Sequence, residues 1–287
     1  MANINTATVV SLGAQLRLAP PYFSFMQPLD QWPLASRSRI QGVLTDIDDT
    51  LTSEGAITPE ALKALGDLKA AGLHVFAVTG RPAGWSEPFA LDWPIDAIVA
   101  ENGSVALWRG EDGSLQKAYL QSDTARRRNF ERLLHVAKTV LTALPHARLS
   151  TDSAGRETDI AVDHSEFQQL PPEDIARVVR IMQAAGLNAT VSSIHINGWI
   201  GEHDKVSGAR WIIQQQLGRN LDGERRNWAY VGDSTNDAGM FHYMTHTVGV
   251  ANIQRFADQL THLPAYVTEL ERGAGFAQVA QAILEAR

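Results

Sequence analysis

Between residues 40 and 101 the chain alternates strand-like and helix-like segments: IQGVLTDI, a helical stretch from Thr58, HVFAVTG, a short helix, and DAIVAEN. Short apolar runs joined by helical crossovers pair as parallel strands, so this stretch predicts an α/β fold built on a parallel sheet. The first helix has Thr58 as N-cap, Pro59 at its first position, Leu62, Leu65 and Leu68 as an apolar face, and Gly72 just past its end. The rhythm resumes after residue 202, where a helix through Trp211 and Ile213 ends at Gly218 and the runs WAYVGDS, THTVGVA and AYVTEL supply further short strands.

The interval between differs. Two amphipathic helices, one carrying Phe130, Leu133, Leu134, Ala137, Val140, Leu141 and Leu144, the other Ile175, Val178, Val179 and Met182, lie among the strand-like runs LQKAYL, ARLST, TDIAVDH, ATVSS and IHINGWI. This predicts an inserted α+β module over 104–200, dividing a core made of 41–103 and 201–287. Residues 1–40, with Pro20, Pro21, Pro28 and Pro33, read as an irregular leader or arm. A length of 287 residues accommodates two modest domains.

Composition removes several classes of function. A formal charge of −7 argues against binding a nucleic-acid backbone, and the basic run Arg126-Arg127-Arg128 reads as a solvated helix face. No apolar run approaches the roughly 20 residues needed to span a bilayer, and the N-terminus lacks a signal-peptide pattern, so the expected location is cytoplasmic. With no cysteine there is neither a disulfide framework nor a thiolate zinc site.

The chemistry concentrates at predicted strand ends, where ligands bind in an open parallel sheet. LTDIDDTLT places Asp46, Asp48 and Asp49 directly after an apolar strand. Two neighbouring buried carboxylates are tolerable only with a bound cation, with a proton on one of them, or with both. VTGR offers the Thr79 hydroxyl, Gly80 for close backbone approach and Arg81 as an anion partner; VGDSTND supplies Asp233 and Asp237; and Lys205 falls in a first helical turn, where the helix dipole disfavours a cation. The set Asp46, Asp48, Asp233 and Asp237 is rich in carboxylate oxygens and suits Mg²⁺. Hydroxyl, lysine and backbone donors beside such an ion suit phosphoryl transfer.

These four motifs, DIDDT at 46–50, VTGR at 78–81, Lys205, and GDSTND at 232–237, resemble those of the haloacid dehalogenase superfamily of phosphohydrolases in order and spacing. The insert's position, and ENGS at 101–104 just before it, resemble the C2B cap subclass of sugar-phosphate phosphatases and phosphomannomutases. The resemblance implies a Rossmann-like three-layer core under a C2B-type cap, and hydrolysis of a small phosphorylated metabolite, a sugar phosphate first of all. It implies Asp46 as nucleophile forming an aspartyl-phosphate, and Asp48 as acid and then base, also lending its backbone carbonyl to Mg²⁺. Asp233 and Asp237 serve the metal, Thr79 and Lys205 hold the phosphoryl oxygens, and Gly80, Arg81, Asn102 and Asn236 are further contacts. Asp49 stands where the family most often has glycine; it either tunes the metal site or faces solvent.

For the leaving group, the polar residues of the insert are the candidates: Arg156, Asp159, Asp163, His164, His195 and Asn197, with Trp199 in the cap interior. A phosphomutase and a binding module without turnover are alternatives; a protein phosphatase is disfavoured because a cap hinders macromolecular access.

Overall fold

The computed structural model describes residues 26–287. The strands are β1 (Gln27–Pro28), β2 (Gly42–Thr45), β3 (Thr52–Ser53), β4 (Ala56–Ile57), β5 (His74–Val78), β6 (Ala97–Ala100), β7 (Val105–Arg109), β8 (Leu115–Tyr119), β9 (Arg148–Leu149), β10 (Asp159–Asp163), β11 (Asn188–Val191), β12 (His195–Trp199), β13 (Trp228–Gly232), β14 (His246–Gly249) and β15 (Tyr266–Val267). A nine-stranded sheet runs β1-β15-β14-β13-β2-β5-β6-β7-β8. It is parallel from β1 to β6 and antiparallel across β7 and β8.

Alternation along the central strands sorts their side chains into two layers. Val43, Val75, Ala77, Ala229 and Val231 face the helices Pro59–Ala70, Ala83–Asp92 and Arg272–Leu284. Leu44, Phe76, Val78 and Tyr230 face Lys205–Leu217 and Ala238–Tyr243. This is the three-layer α/β core expected. The first helix is capped as predicted, Thr58 accepting from the Ala61 amide at 3.2 Å. Its apolar face differs: Leu65 and Leu68 are buried with Ala61 and Ala64, while Leu62 points outward.

A separate antiparallel sheet, β11-β12-β10-β9, is covered by the helices Asp123–Ala143 and Pro172–Ala184 around their own apolar core. Trp199 is buried in this unit, as expected. The hairpin β7-β8 is not, because Val105, Ala106 and Leu107 extend the large sheet from β6 and bury on both faces. The insert's own sheet and helices therefore begin beyond residue 119 rather than at 104. Arg126 likewise departs from expectation: it lies over the Tyr119 ring and pairs with Glu157, while Arg127 and Arg128 are solvated.

Of the leader, residues 1–25 fall outside the described part; the remainder is no loose arm. β1 pairs with β15, and Trp32, 1% exposed, stacks on Tyr266. The two crossings between insert and core are tied together by Gln121, which donates to the Ile200 carbonyl at 2.7 Å. His203 is buried beside them with Nε2 unpartnered. Among the described residues no helix is long and apolar enough to cross a membrane.

Two outcomes follow. Trp32→Ala should lower the unfolding free energy by about 3–5 kcal/mol in a denaturant titration, the loss typical of a buried tryptophan. Burial pulls the His203 imidazole down to about 4 from 6.5. Its contribution is therefore present above pH 6.5 and lost as pH falls through 4. His203→Gln should remove about 2–3 kcal/mol of the stability lost across that interval, read as unfolding free energy against pH.

Candidate active site

Three carboxylates that follow one another in sequence meet three different cations in space. Lys205 Nζ donates to Asp46 Oδ1 at 2.6 Å, Arg81 grips both oxygens of Asp48 at 2.9 and 3.0 Å, and Arg272 pairs with Asp49 at 2.9 Å. The chain leaves extended geometry after Thr45, and Asp49 itself takes a left-handed φ of 53°, so the side chains diverge rather than sharing a face. Asp49 thus neither faces open solvent nor joins the carboxylate cluster that could hold a metal.

That cluster is Asp46, Asp233 and Asp237, each offering an oxygen within 4.8 Å of the others. Asp46 and Asp233 extend from β2 and β13, neighbours at the centre of the sheet, as the strand-end rule requires. Within the cluster the roles separate. Asp237 Oδ1 accepts from Lys205 at 2.7 Å and from the Tyr230 hydroxyl at 2.5 Å, and Oδ2 accepts from the amides of Asp233 and Ser234 at 2.9 and 3.1 Å. It is the counter-ion of Lys205 and the peg of its own loop. A side chain at Gly232 would collide with that carboxylate, a Cβ falling 2.5 Å from Oδ2, hence the glycine.

Asp233 is different. Asn252 donates to its Oδ2 at 3.1 Å and to the Asp49 carbonyl at 3.0 Å, while accepting from the Arg272 amide at 2.9 Å. This leaves Asp233 Oδ1 buried with no partner. Burial, with Asp46 and Asp237 nearby, pushes the Asp233 carboxyl well above its ordinary range. Burial also pushes Asp46 up to about 7, against the pull of Lys205. Two buried carboxylates short of positive charge, one with an unpartnered oxygen, fit a divalent cation with oxygen preference. Asp48 stands apart: its side chain is directed to Arg81, not into the cluster, and burial raises its pKa despite that guanidinium.

On Lys205, burial works against the charge, but Asp237 and Asp46 outweigh it and hold the ammonium above its ordinary range. Asp204 caps the same helix reciprocally with Ser207, which keeps Lys205 in the first turn. Thr79, fully buried beyond β5, accepts from the Arg81 amide at 3.0 Å.

The insert closes over these groups. Arg156 and Asn197 donate to the Gly80 carbonyl at 3.0 and 3.2 Å, and a Cβ at Gly80 would meet Asn197 and Asn102 within 3.3 Å. Asn102, left-handed at φ 56°, reaches Asp159 at 3.4 Å. Arg81 joins Asp152 at 3.1 Å and Glu166 at 2.8 Å, and Glu166 holds His195 at 2.8 Å. Arg156 is engaged by Asp159 and Asp152. Asp163 is drawn away: both its oxygens accept from the amides of Glu166 and Phe167, so it shapes a loop. His164 bonds the Ser192 carbonyl, and Asn236 only accepts from Ser234. Glu101, Asp152, Glu166, Asn252 and Arg272 escaped the sequence reading. Asn252 was within reach of it, following a strand end in VGVAN, and Glu101 lies in the quoted ENGS; nothing local marks the others.

A mostly parallel sheet with a carboxylate cluster at its strand ends and a separate antiparallel sheet over it make a capped α/β site. The family model of haloacid dehalogenase-like hydrolases matches residues 43–139. Comparison with curated protein sequences gives no match. Among solved structures, a Thermoplasma acidophilum protein superposes with TM-score 0.65 at 19% identity, over 86% of this chain and 99% of that one. Sucrose-phosphatase from Synechocystis sp. PCC6803, solved with sucrose and phosphate, superposes with TM-score 0.60 at 15% identity over 85% and 98%. A subclass IIB sugar phosphatase superposes with TM-score 0.57 at 16% identity over 86% and 100%. Over residues 43–139 the chain matches the haloacid dehalogenase-like hydrolases, and the superpositions give it the fold of these proteins, cap included.

Titrating Mg²⁺ into metal-free protein should raise its melting temperature, equivalent to about 2.7 kcal/mol at a hundredfold excess over Kd. Asp233→Asn should abolish that rise. Asn252→Ala should weaken Mg²⁺ binding by about 10–100-fold in calorimetry, since it removes the group that orients the ligand.

Proposed function

We propose that the chain is a Mg²⁺-dependent phosphatase of a small phosphorylated metabolite, with a sugar phosphate as its substrate. The observation that carries this is the pairing at the strand ends: Asp46, held by Lys205 beside the unpartnered Asp233 oxygen, faces the cluster, while Asp48 sits apart under the cap on Arg81. Asp46, Asp233 and the Asp48 backbone carbonyl would hold Mg²⁺, with Asp237 behind them; bound there, the ion neutralises charge on the phosphoryl group.

In the first step an Asp46 oxygen forms a bond to phosphorus as the bond to the leaving oxygen breaks, and Asp48 transfers its proton to that oxygen. In the second, Asp48 takes a proton from water, whose oxygen bonds to phosphorus and releases the Asp46 carboxylate. Lys205 and the Thr79 hydroxyl hold phosphoryl oxygens throughout. Burial raises the Asp48 carboxyl above its ordinary range, in the direction an acid needs, and the different partners of the two acids support a division of labour. The sugar reading is supported by polar cap groups over the site and by the two sugar phosphatases that share this fold.

Asp46→Asn should stay folded, bind substrate and release no phosphate; wild-type turnover by this variant would remove the nucleophile assignment. Asp48→Asn should leave KM near wild type and reduce kcat by about 10²–10⁴-fold, read as phosphate release from a panel of sugar phosphates with Mg²⁺.

A further inference from the structure

Beyond Asp48 a cavity of about 280 Å³ opens between core and cap, close to the lower bound of roughly 300 Å³ for small-molecule sites. Its ionisable lining is Asp48, Asp49, Glu54 and Glu166 against Arg81 and Arg272. Both guanidiniums are already engaged. Arg81 carries Asp48, Asp152 and Glu166; Arg272 carries Asp49 and donates to Ser53 at 3.0 Å. Glu54, exposed at the rim, makes no ion pair among the described residues. Phe167, 69% exposed, lies beside Glu166 on the cap wall with its ring unburied.

From this lining we infer that the leaving group is an uncharged polyhydroxy compound, and that Glu166 and Glu54 reject leaving groups carrying a second anion. The inference rests on the phosphatase reading. Glu166 is the specificity-determining residue because it is fixed before any ligand arrives: Oε1 accepts from Arg81 and Oε2 faces His195 Nε2. A carboxylate so oriented still has lone pairs for sugar hydroxyls, which donate as well as accept. The apolar face of a sugar ring has the Phe167 ring to rest on. A carboxylate or second phosphate on the leaving group would meet unbalanced negative charge with no free cation. At about 6 Å through partly solvated protein, each such contact disfavours binding by roughly tenfold. Sugar acids, phosphoglycerates and sugar bisphosphates are therefore poor substrates.

The test is a set of pairs matched in carbon skeleton: glucose 6-phosphate with 6-phosphogluconate, and fructose 6-phosphate with fructose 1,6-bisphosphate, assayed with Mg²⁺. Wild-type kcat/KM should favour the neutral member by about tenfold or more, and added NaCl should narrow the ratio by screening. Glu54→Gln and Glu166→Gln should each narrow it several-fold. Equal rates within the pairs, or ratios unmoved by both substitutions, would overturn the inference while leaving the phosphatase reading intact. Calorimetric binding of the same compounds to the Asp46→Asn protein separates the two failures. If no compound releases phosphate yet neutral members still bind more tightly, the charge selection stands and the phosphatase reading falls; equal binding overturns the selection.

Discussion

The centre of this molecule depends on the buried ammonium of Lys205. Its side chain, 4% exposed, bonds Asp46 and Asp237, which lie just beyond the ends of the neighbouring strands β2 and β13. Removing a single partner from such an assembly leaves a charge stranded in low dielectric. The arrangement is sustained because Asp237 is satisfied on both oxygens by Lys205, Tyr230 and two amides of its own loop. Asp46 and Asp233 then remain as the pair with capacity to spare, and the charge deficit is concentrated where a cation fits.

The cap is joined to this centre by hydrogen bonds rather than by a continuous apolar seam. Its core is separate from the two cores flanking the large sheet. Glu101, fully buried, accepts from the amides of Ala83, Glu157 and Thr158, tying the turn after β6 to the cap. Arg156 and Asn197 meet the Gly80 carbonyl, and Arg81 reaches Asp152 and Glu166. Contacts of this kind are directional, so they define a closed position without filling the space between the units, and the cavity beside Asp48 is what remains.

Much of the fold was legible. The run from β2 through β6 has the period, caps and glycines of parallel α/β units, and the strand-end rule singled out Asp46, Thr79 and Asp233. The hairpin β7-β8 was misplaced because alternating apolar residues look alike in either sheet; only the pairing of Val99 with Ala106 decides. Leu62 points outward, since leucine spacing alone does not say which edge of a helical stripe meets the sheet. At the candidate site the motifs are legible in the sequence, while the partners of their side chains are not. Asp163 is a polar residue of the cap, but its oxygens hold the Glu166 and Phe167 amides, a use that no local pattern announces.

The sequence by itself determined the class of fold, the strand ends at which polar groups gather, and the supply of carboxylates, lysine and hydroxyls there, since these depend on local periodicity and residue type. Tertiary structure alone decided how the charges divide. Asp46, Asp48 and Asp49 are nearly contiguous, yet their cations stand at 205, 81 and 272. An ion pair depends on a separation of a few ångströms in space, and no spacing along the chain encodes which distant arginine or lysine the sheet and its helices will deliver.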